Sequence, residues 1–253
     1  MNKNETRPPI LIFCPMDCEY TTVRSALKES RVSRFGIFEY TEGLVDGYPV
    51  VAVECRVGGV NSGAAAMHFI EKYKPLCVLI QGTAGAHDPE LCVNDIIIAE
   101  DIIDCGLYFA PHRDRGDGSR PTDWEHPGTE TLDENGSSSW IGVYHSSERL
   151  MKIAEATPYP HGNKRRGKLY SADAWNRELD LIDHYVGTLH TDCEEMENFA
   201  VAHICEMFGV EHLGIRVISN SEHLPDTEFS PESATHCQSY CLSVISAIIS
   251  AEN

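Results

Sequence analysis

Short apolar runs, separated by stretches with helical spacing, recur along the chain. Ile10 to Cys14 (ILIFC) is apolar at every position, the pattern of a strand buried on both faces. Tyr48 to Cys55 is rich in β-branched residues and follows the turn signal Asp46-Gly47, so it reads as a second strand. Ser62 to Tyr73 is rich in small residues and ends at Lys74-Pro75, which predicts a helix that stops where proline forbids helical backbone in the residue before it. Leu76 to Gly82, Val93 to Ile103 and His212 to Ser219 read as further buried strands. Met196, Phe199, Ala200, His203 and Ile204 fall mostly at i, i+3 and i+4, predicting a helix over 195–208, and Cys237 to Ser250 predicts a C-terminal helix. This alternation predicts an α/β fold with helices on both faces of a sheet. The segment 116–139, dominated by Gly, Ser, Thr, Asp and Glu, reads as an acidic loop insertion and is expected to be disordered rather than a lid. No repeat or linker divides the chain, so 1–253 is expected to form a single domain.

Charge narrows the function by exclusion. The net charge is −19, from 39 acidic and 20 basic residues, which leaves no basic surface to replace the counterions of a nucleic acid. The run Lys164 to Arg166 reads as a solvated turn. There is no apolar run of about eighteen residues, and the opening MNKNETRPP lacks the apolar core of a signal peptide. No membrane association is therefore expected, and a cytoplasmic location is. The ten cysteines include no Cys-x-x-Cys pair and no accompanying His cluster, so they read as reduced core thiols, with neither disulfides nor a metal site expected.

Polar and acidic residues stand at the ends of buried runs, which is where open α/β sheets bind ligands. Cys14-Pro15-Met16-Asp17-Cys18-Glu19 follows the first strand and Gly82-Thr83-Ala84-Gly85 the fourth apolar run. Ser219-Asn220 ends the last strand, and Glu195-Met196-Glu197 opens the helix before it.

Six segments together resemble the nucleoside phosphorylase/nucleosidase superfamily, and most of all its methylthioadenosine/S-adenosylhomocysteine nucleosidases. They are Met16–Glu19 (MDCE), Val57–Ala66 (VGGVNSGAAA), Gly82–Gly85 (GTAG), Ser171–Trp175 (SADAW), Glu194–His203 (EEMENFAVAH) and Arg216–Asn220 (RVISN). Each is short, but all occur in the family's order. The resemblance implies a three-layer α/β/α sandwich around a mixed, partly barrel-like sheet, and a purine-nucleoside N-ribosyl hydrolase with no metal or organic cofactor. It also implies a small-molecule nucleoside as partner and a homodimer.

On this resemblance Glu19 is the water-activating carboxylate, with Thr83 and Gly85 on the floor beside the water. Glu197 accepts hydrogen bonds from the ribose hydroxyls, which suits a group with acceptors for two adjacent donors. Met196 packs under the sugar, and Met16 touches it. Trp175 stacks on the base, Asn176 offers backbone groups to the base edge, and Ser219 and Asn220 complete the base site. Glu195 is expected to pair with Arg216, and Glu194 to be exposed. Tyr108, Phe109, Pro111 and His112 stand where relatives hold the 5′ substituent.

Two departures bear on the reaction. Phosphorylases of the superfamily hold phosphate with arginines at two positions that here carry Glu19 and Ile80, which favours water over phosphate. Adenine-specific nucleosidases carry aspartate where Asn220 stands, and an amide cannot act as a general acid. Three readings stay open: a nucleosidase for 6-oxopurines, a slow nucleosidase for adenine, and a nucleoside-binding relative that does not cut. A phosphorylase that recruits phosphate by another route is the alternative among enzymes.

Overall fold

The computed structural model describes residues 7–133, 135–224 and 229–252; the first six residues of the polar leader and Glu134 of the 116–139 segment lie outside the described residues. In chain order the elements are β1 (Ile10–Cys14), α1 (Asp17–Ala26), β2 (Lys28–Phe35), β3 (Phe38–Val45), β4 (Tyr48–Glu54), α2 (Gly59–Tyr73), β5 (Cys77–Ala86), β6 (Ile96–Asp104), β7 (Thr129–Leu132), β8 (Ser138–Ile141), β9 (Val143–His145), α3 (Glu148–Ala156), β10 (Lys164–Ser171), α4 (Leu179–Leu189), β11 (Cys193–Glu195), α5 (Asn198–Phe208), β12 (His212–Ser221) and α6 (Pro231–Ala251).

Strand β1 needs its unbroken apolar run because it lies mid-sheet, parallel to β4 on one side and β5 on the other. Its side chains alternate: Ile10, Ile12 and Cys14 pack into the layer formed with α1, α3 and α6, whereas Leu11 and Phe13 pack into the layer with α2 and α5. The sheet runs β11-β10-β6-β12-β5-β1-β4-β3-β2. Strand β11 also pairs antiparallel with β5, through Cys193 with Ala86 and Glu194 with Gly85. That second pairing closes β5, β12, β6, β10 and β11 into a small barrel and leaves β1 to β4 as an open wing. The fold is thus the expected mixed α/β sheet, partly closed and covered by helices.

Several local expectations change. The helix expected over 195–208 begins only at Asn198, because Glu195 belongs to β11 and its Oε2 accepts the backbone N–H groups of Glu197 and Asn198, each at 2.9 Å. The strand expected from Val93 starts at Ile96, after a turn in which Asn94 has a positive φ of 78°. Lys164 to Arg166 is the start of β10 rather than a turn; Lys164 Nζ donates to the carbonyls of Ala154, Glu155 and Thr157, and Arg166 pairs with Glu148 and Glu155.

The 116–139 segment is not the disordered excursion expected from its composition. It contains a 3₁₀ turn at Pro121–Asp123 and most of the β7–β8 hairpin, and the Tyr108 ring stacks on Trp124 at 4.1 Å. Thr129 fastens the hairpin by donating to Asp104 Oδ2 at 2.6 Å.

Candidate active site

The carboxyl ends of β1, β5, β11 and β12 surround a cavity of about 370 Å³. Glu19 reaches it from the first turn of α1 and is almost fully buried. Its Oε2 accepts the Met16 N–H at 2.9 Å, which caps the helix. Its Oε1 accepts both the backbone N–H and the hydroxyl of Thr83, at 2.6 and 2.9 Å. Burial pushes this carboxyl above its ordinary range, while the nearby Arg216 guanidinium and the hydrogen bonds from Thr83 and Met16 pull the other way.

Beside it lies a buried ionic cluster. Arg216 donates through Nη2 to Glu195 at 2.5 Å and to Glu197 at 3.1 Å, and through Nη1 to the Thr83 carbonyl at 3.2 Å. Glu195 therefore pairs with Arg216 as expected. Glu197 is further fixed by the N–H of Gly58 at 2.9 Å, and Asp173 takes the next N–H, of Gly59, at 2.6 Å. Helix α2 has no acidic residue in its own first turn, so these two carboxylates from elsewhere meet the positive end of its dipole. Gly58 has φ 93°, a conformation that suits glycine, and it turns the backbone toward Glu197. Burial, only partly offset by Arg216, holds Glu197 up at about 7.

Gly82 shows how tightly this cluster is built. A methyl group there would stand 2.7 Å from Arg216 Nη1 and 2.8 Å from Glu19 Oε1. The close approach of the charged groups thus needs a residue without a side chain.

Asn220 owes its position to a β-bulge. Ile218 pairs with Ala84 and Asn220 with Gly85, leaving Ser219 as the extra residue of β12. The Ser219 hydroxyl donates to Asn220 Oδ1 at 2.9 Å and also lies 3.2 Å from the Ala84 carbonyl. With its oxygen held in this way, Asn220 presents its amide nitrogen toward Gly85 and the cavity.

Met16 and Met196 line the cavity, as do Thr83 and Gly85 on its floor and Ser219 beside Asn220. Trp175 stands on the rim, 60% exposed, so an entering flat ligand would cover an apolar face now open to solvent. Asn176 departs from its expected role. It is not among the lining residues, and its backbone N–H donates to Glu194 Oε1 at 2.9 Å. Glu194 itself is not exposed; it is buried and lines the cavity, and the Asn176 side chain and the His87 ring also donate to it. Tyr108, Phe109, Pro111 and His112 are surface residues outside the cavity lining, with Phe109 set edge-on to Trp140 at 6.2 Å. Sequence reasoning also missed Val57 and Phe229 as lining residues, the latter a single apolar residue in a polar stretch.

Fold and cavity together define an α/β protein that receives a small ligand at the carboxyl ends of its strands, over a floor of buried carboxylates. The phosphorylase superfamily model matches residues 9–250, and the chain belongs to that superfamily. It is 26% identical to the 5′-methylthioadenosine/S-adenosylhomocysteine nucleosidase of Lysinibacillus sphaericus over 94% of this chain and 99% of that one. It is 24% identical to the Bacillus subtilis nucleosidase of the same name, with the same coverage. Among solved structures, the Neisseria meningitidis nucleosidase in complex with methylthio-immucillin-A superposes with a TM-score of 0.77 at 19% identity, covering 94% of this chain and 98% of the other. The futalosine hydrolase of Helicobacter pylori gives 0.76 at 20% identity, covering 95% and 98%. At such identities the structures attest the shared fold.

Proposed function

We propose that this chain is an N-ribosyl hydrolase, a nucleosidase that cleaves the glycosidic bond of purine nucleosides with water. The observation that carries this reading is the charge of the cavity. Among the described residues lining it there are four glutamates and one arginine, and that arginine is already paired with Glu195 and Glu197. A phosphate dianion would meet net negative charge there, whereas a neutral water would find an acceptor in Glu19. Arg56, the other cation near by in sequence, pairs with Glu54 at 2.7 Å and is not among the lining residues. Ile80 is buried in β5 and supplies no charge.

The chemistry follows from the positions. Glu19 takes a proton from water as the oxygen adds to the anomeric carbon, and the bond from that carbon to the purine nitrogen breaks. The bonding pair leaves with the base as an anion, which takes its proton from solvent while Glu19 gives its own back to solvent; the Asn220 amide stabilises the developing charge by donating a hydrogen bond. Glu197 keeps acceptor capacity beyond Gly58 and Arg216 for the ribose hydroxyls, with Met16 and Met196 against the sugar. Trp175 covers the base from the rim. The curated relatives' names support a 5′-substituted nucleoside as substrate.

Incubation with inosine, methylthioadenosine, S-adenosylhomocysteine and futalosine, with and without phosphate, tests the reading. Free base in phosphate-free buffer is the expected result. Strict dependence on phosphate would make the protein a phosphorylase, and no base from any substrate would make it a binding protein.

The same reading takes residues 1–253 as one domain that works as a homodimer in the cytoplasm. Val60, Met67 and Phe109 are large apolar side chains left exposed on the single chain, and all ten cysteines are free, which suits a reducing compartment. No helix among the described residues is long and apolar enough to cross a membrane. Light scattering on the purified protein would test the dimer.

A further inference from the structure

We propose that a cavity at the amino end of β12 is a second binding site, which takes a small cation carrying N–H donors: the ammonium head of a short primary alkylamine. It lies apart from the candidate active site and does not depend on the nucleosidase reading. The cavity has a volume of about 310 Å³ and is framed by the start of β12, the end of α5 and the turn between β9 and α3. Asn220 and the active-site cavity stand at the other end of the same strand, roughly 25 Å away at the usual rise per residue.

The polar groups around this cavity are chiefly acceptors. His212 lines it and is 2% exposed, and its Nε2 has no hydrogen-bond partner among the described residues. Burial pushes the imidazole down to about 4, so the ring is uncharged in neutral solution. The Val210 backbone takes one ring N–H, and with Nε2 unpartnered that donor is Nδ1. Nε2 therefore carries a lone pair, a buried acceptor that calls for a donor. The Ser147 hydroxyl is already committed to Glu211 Oε1, at 2.6 Å.

Charge points the same way. Glu206 lines the cavity with no ion-pair partner among the described residues. Glu211 lines it too; its partner Arg149 also pairs with Glu252 and is not a lining residue. Helix α5 ends here with no basic residue in its last turn, so its own sequence leaves the negative pole of its dipole uncompensated. Lys74 sits over the Phe208 ring at 5.7 Å and is not among the lining residues either. The other imidazole, His145, is exposed and bonds through Nδ1 to Asp101 at 2.9 Å. An anion is disfavoured on every side. A metal ion is not provided for, because among the described residues no three His, Cys, Asp or Glu side chains are grouped to hold one. An ammonium meets both demands: one N–H satisfies His212 Nε2, the others face Glu206 and Glu211, and the methylenes lie along Val210.

Titration of the intact protein with butylammonium chloride, followed by NMR of the imidazole carbons, tests the site. Tetramethylammonium chloride at equal ionic strength is the control, since it has the charge but no N–H. Butylammonium is expected to shift the His212 signals saturably, and to bind at least about tenfold more tightly than tetramethylammonium. His212→Phe keeps a flat ring without the acceptor, and identifies the His212 signals by their loss. Read on His145, it should weaken butylammonium binding about tenfold, and Glu206→Gln about threefold. Circular dichroism melts establish that each variant is folded. No saturable shift with butylammonium, an equal response to tetramethylammonium, or an affinity that neither folded variant alters would overturn the proposal. The wild-type comparison decides it even if both variants fail to fold. Nucleoside turnover enters none of these readings, so failure here would leave the nucleosidase reading standing.

Discussion

Thr83 donates twice to a single oxygen of Glu19, through its backbone N–H at 2.6 Å and its hydroxyl at 2.9 Å. One oxygen is thereby fixed against β5, and the other is tied to the Met16 N–H at 2.9 Å. A buried carboxylate held this firmly has few orientations available to it, so it can meet a water at one place without reorganisation.

Removing the charge while keeping the shape isolates that role. Glu19→Gln is expected to lower kcat by about 10²–10⁴-fold, the range for loss of a positioned general base. Nucleoside affinity is expected to stay within about tenfold, because the pocket walls remain. Single-turnover base release and equilibrium binding measure the two effects. A folded variant that lost binding in step with turnover would contradict the assignment.

Gly82→Ala tests the packing beneath the cluster. Its methyl group would stand under 3 Å from both Arg216 Nη1 and Glu19 Oε1, so one of these charged groups must move. The expected outcome is a drop in kcat/KM of about 10²-fold or more, with a lowered melting temperature. Wild-type kinetics in this variant would show that the two groups have more freedom than their geometry implies.

The pH dependence follows from Glu197, held up at about 7 against an ordinary 4.5. In the folded protein the site binds its proton more tightly than in the unfolded chain. Stability from this group is therefore greatest below about 4.5, falls as pH rises toward about 7, and levels off above. Acceptance of ribose hydroxyls favours the ionised form, so kcat/KM should climb over the same window with a midpoint near 7. Glu197→Gln should flatten that acid limb and reduce the pH dependence of the melting temperature. An unaltered limb in the variant would assign the titration to another group, Glu19 being the first to examine.

Asn220→Asp changes the donor side of the base site. An aspartate at this position can carry a proton to N7, and its carboxylate can accept from a 6-amino group, so the ratio of adenosine to inosine turnover is expected to rise about tenfold or more. Competition between the two substrates in one reaction gives the ratio directly. An unchanged ratio would remove Asn220 from the specificity argument.

Much of this arrangement could be read from residue order. The unbroken apolar run of β1 marked a strand buried on both faces, and so located Glu19 just beyond its carboxyl end. Gly82 to Gly85 and Ser219-Asn220 were visible for the same reason, as polar groups where apolar runs stop. Glu194 was not. Strand β11 is three residues long, too short for an alternating pattern to register, and it runs into α5, so CEE looks like the opening of the helix. Its acidic residues are buried because barrel closure against β5 supplies partners from His87, Asn176 and Arg216, all distant in sequence. The 116–139 segment was misread because composition suggests disorder while contacts with residues outside it, Thr129 with Asp104 and Trp124 with Tyr108 among them, fasten it.

The extra residue in β12 has a consequence for how such a protein could be retuned. The bulge fixes where position 220 points before the identity of its side chain matters, so the head group there can be exchanged by one codon with the strand's pairing intact. Deleting Ser219 would do something quite different: Asn220 would still follow Ile218 onto Gly85, but the local twist that aims it and the hydroxyl that holds its amide oxygen would both be lost. A substitution library at 220 should therefore yield folded proteins with altered taste, and a deletion library at 219 blind ones.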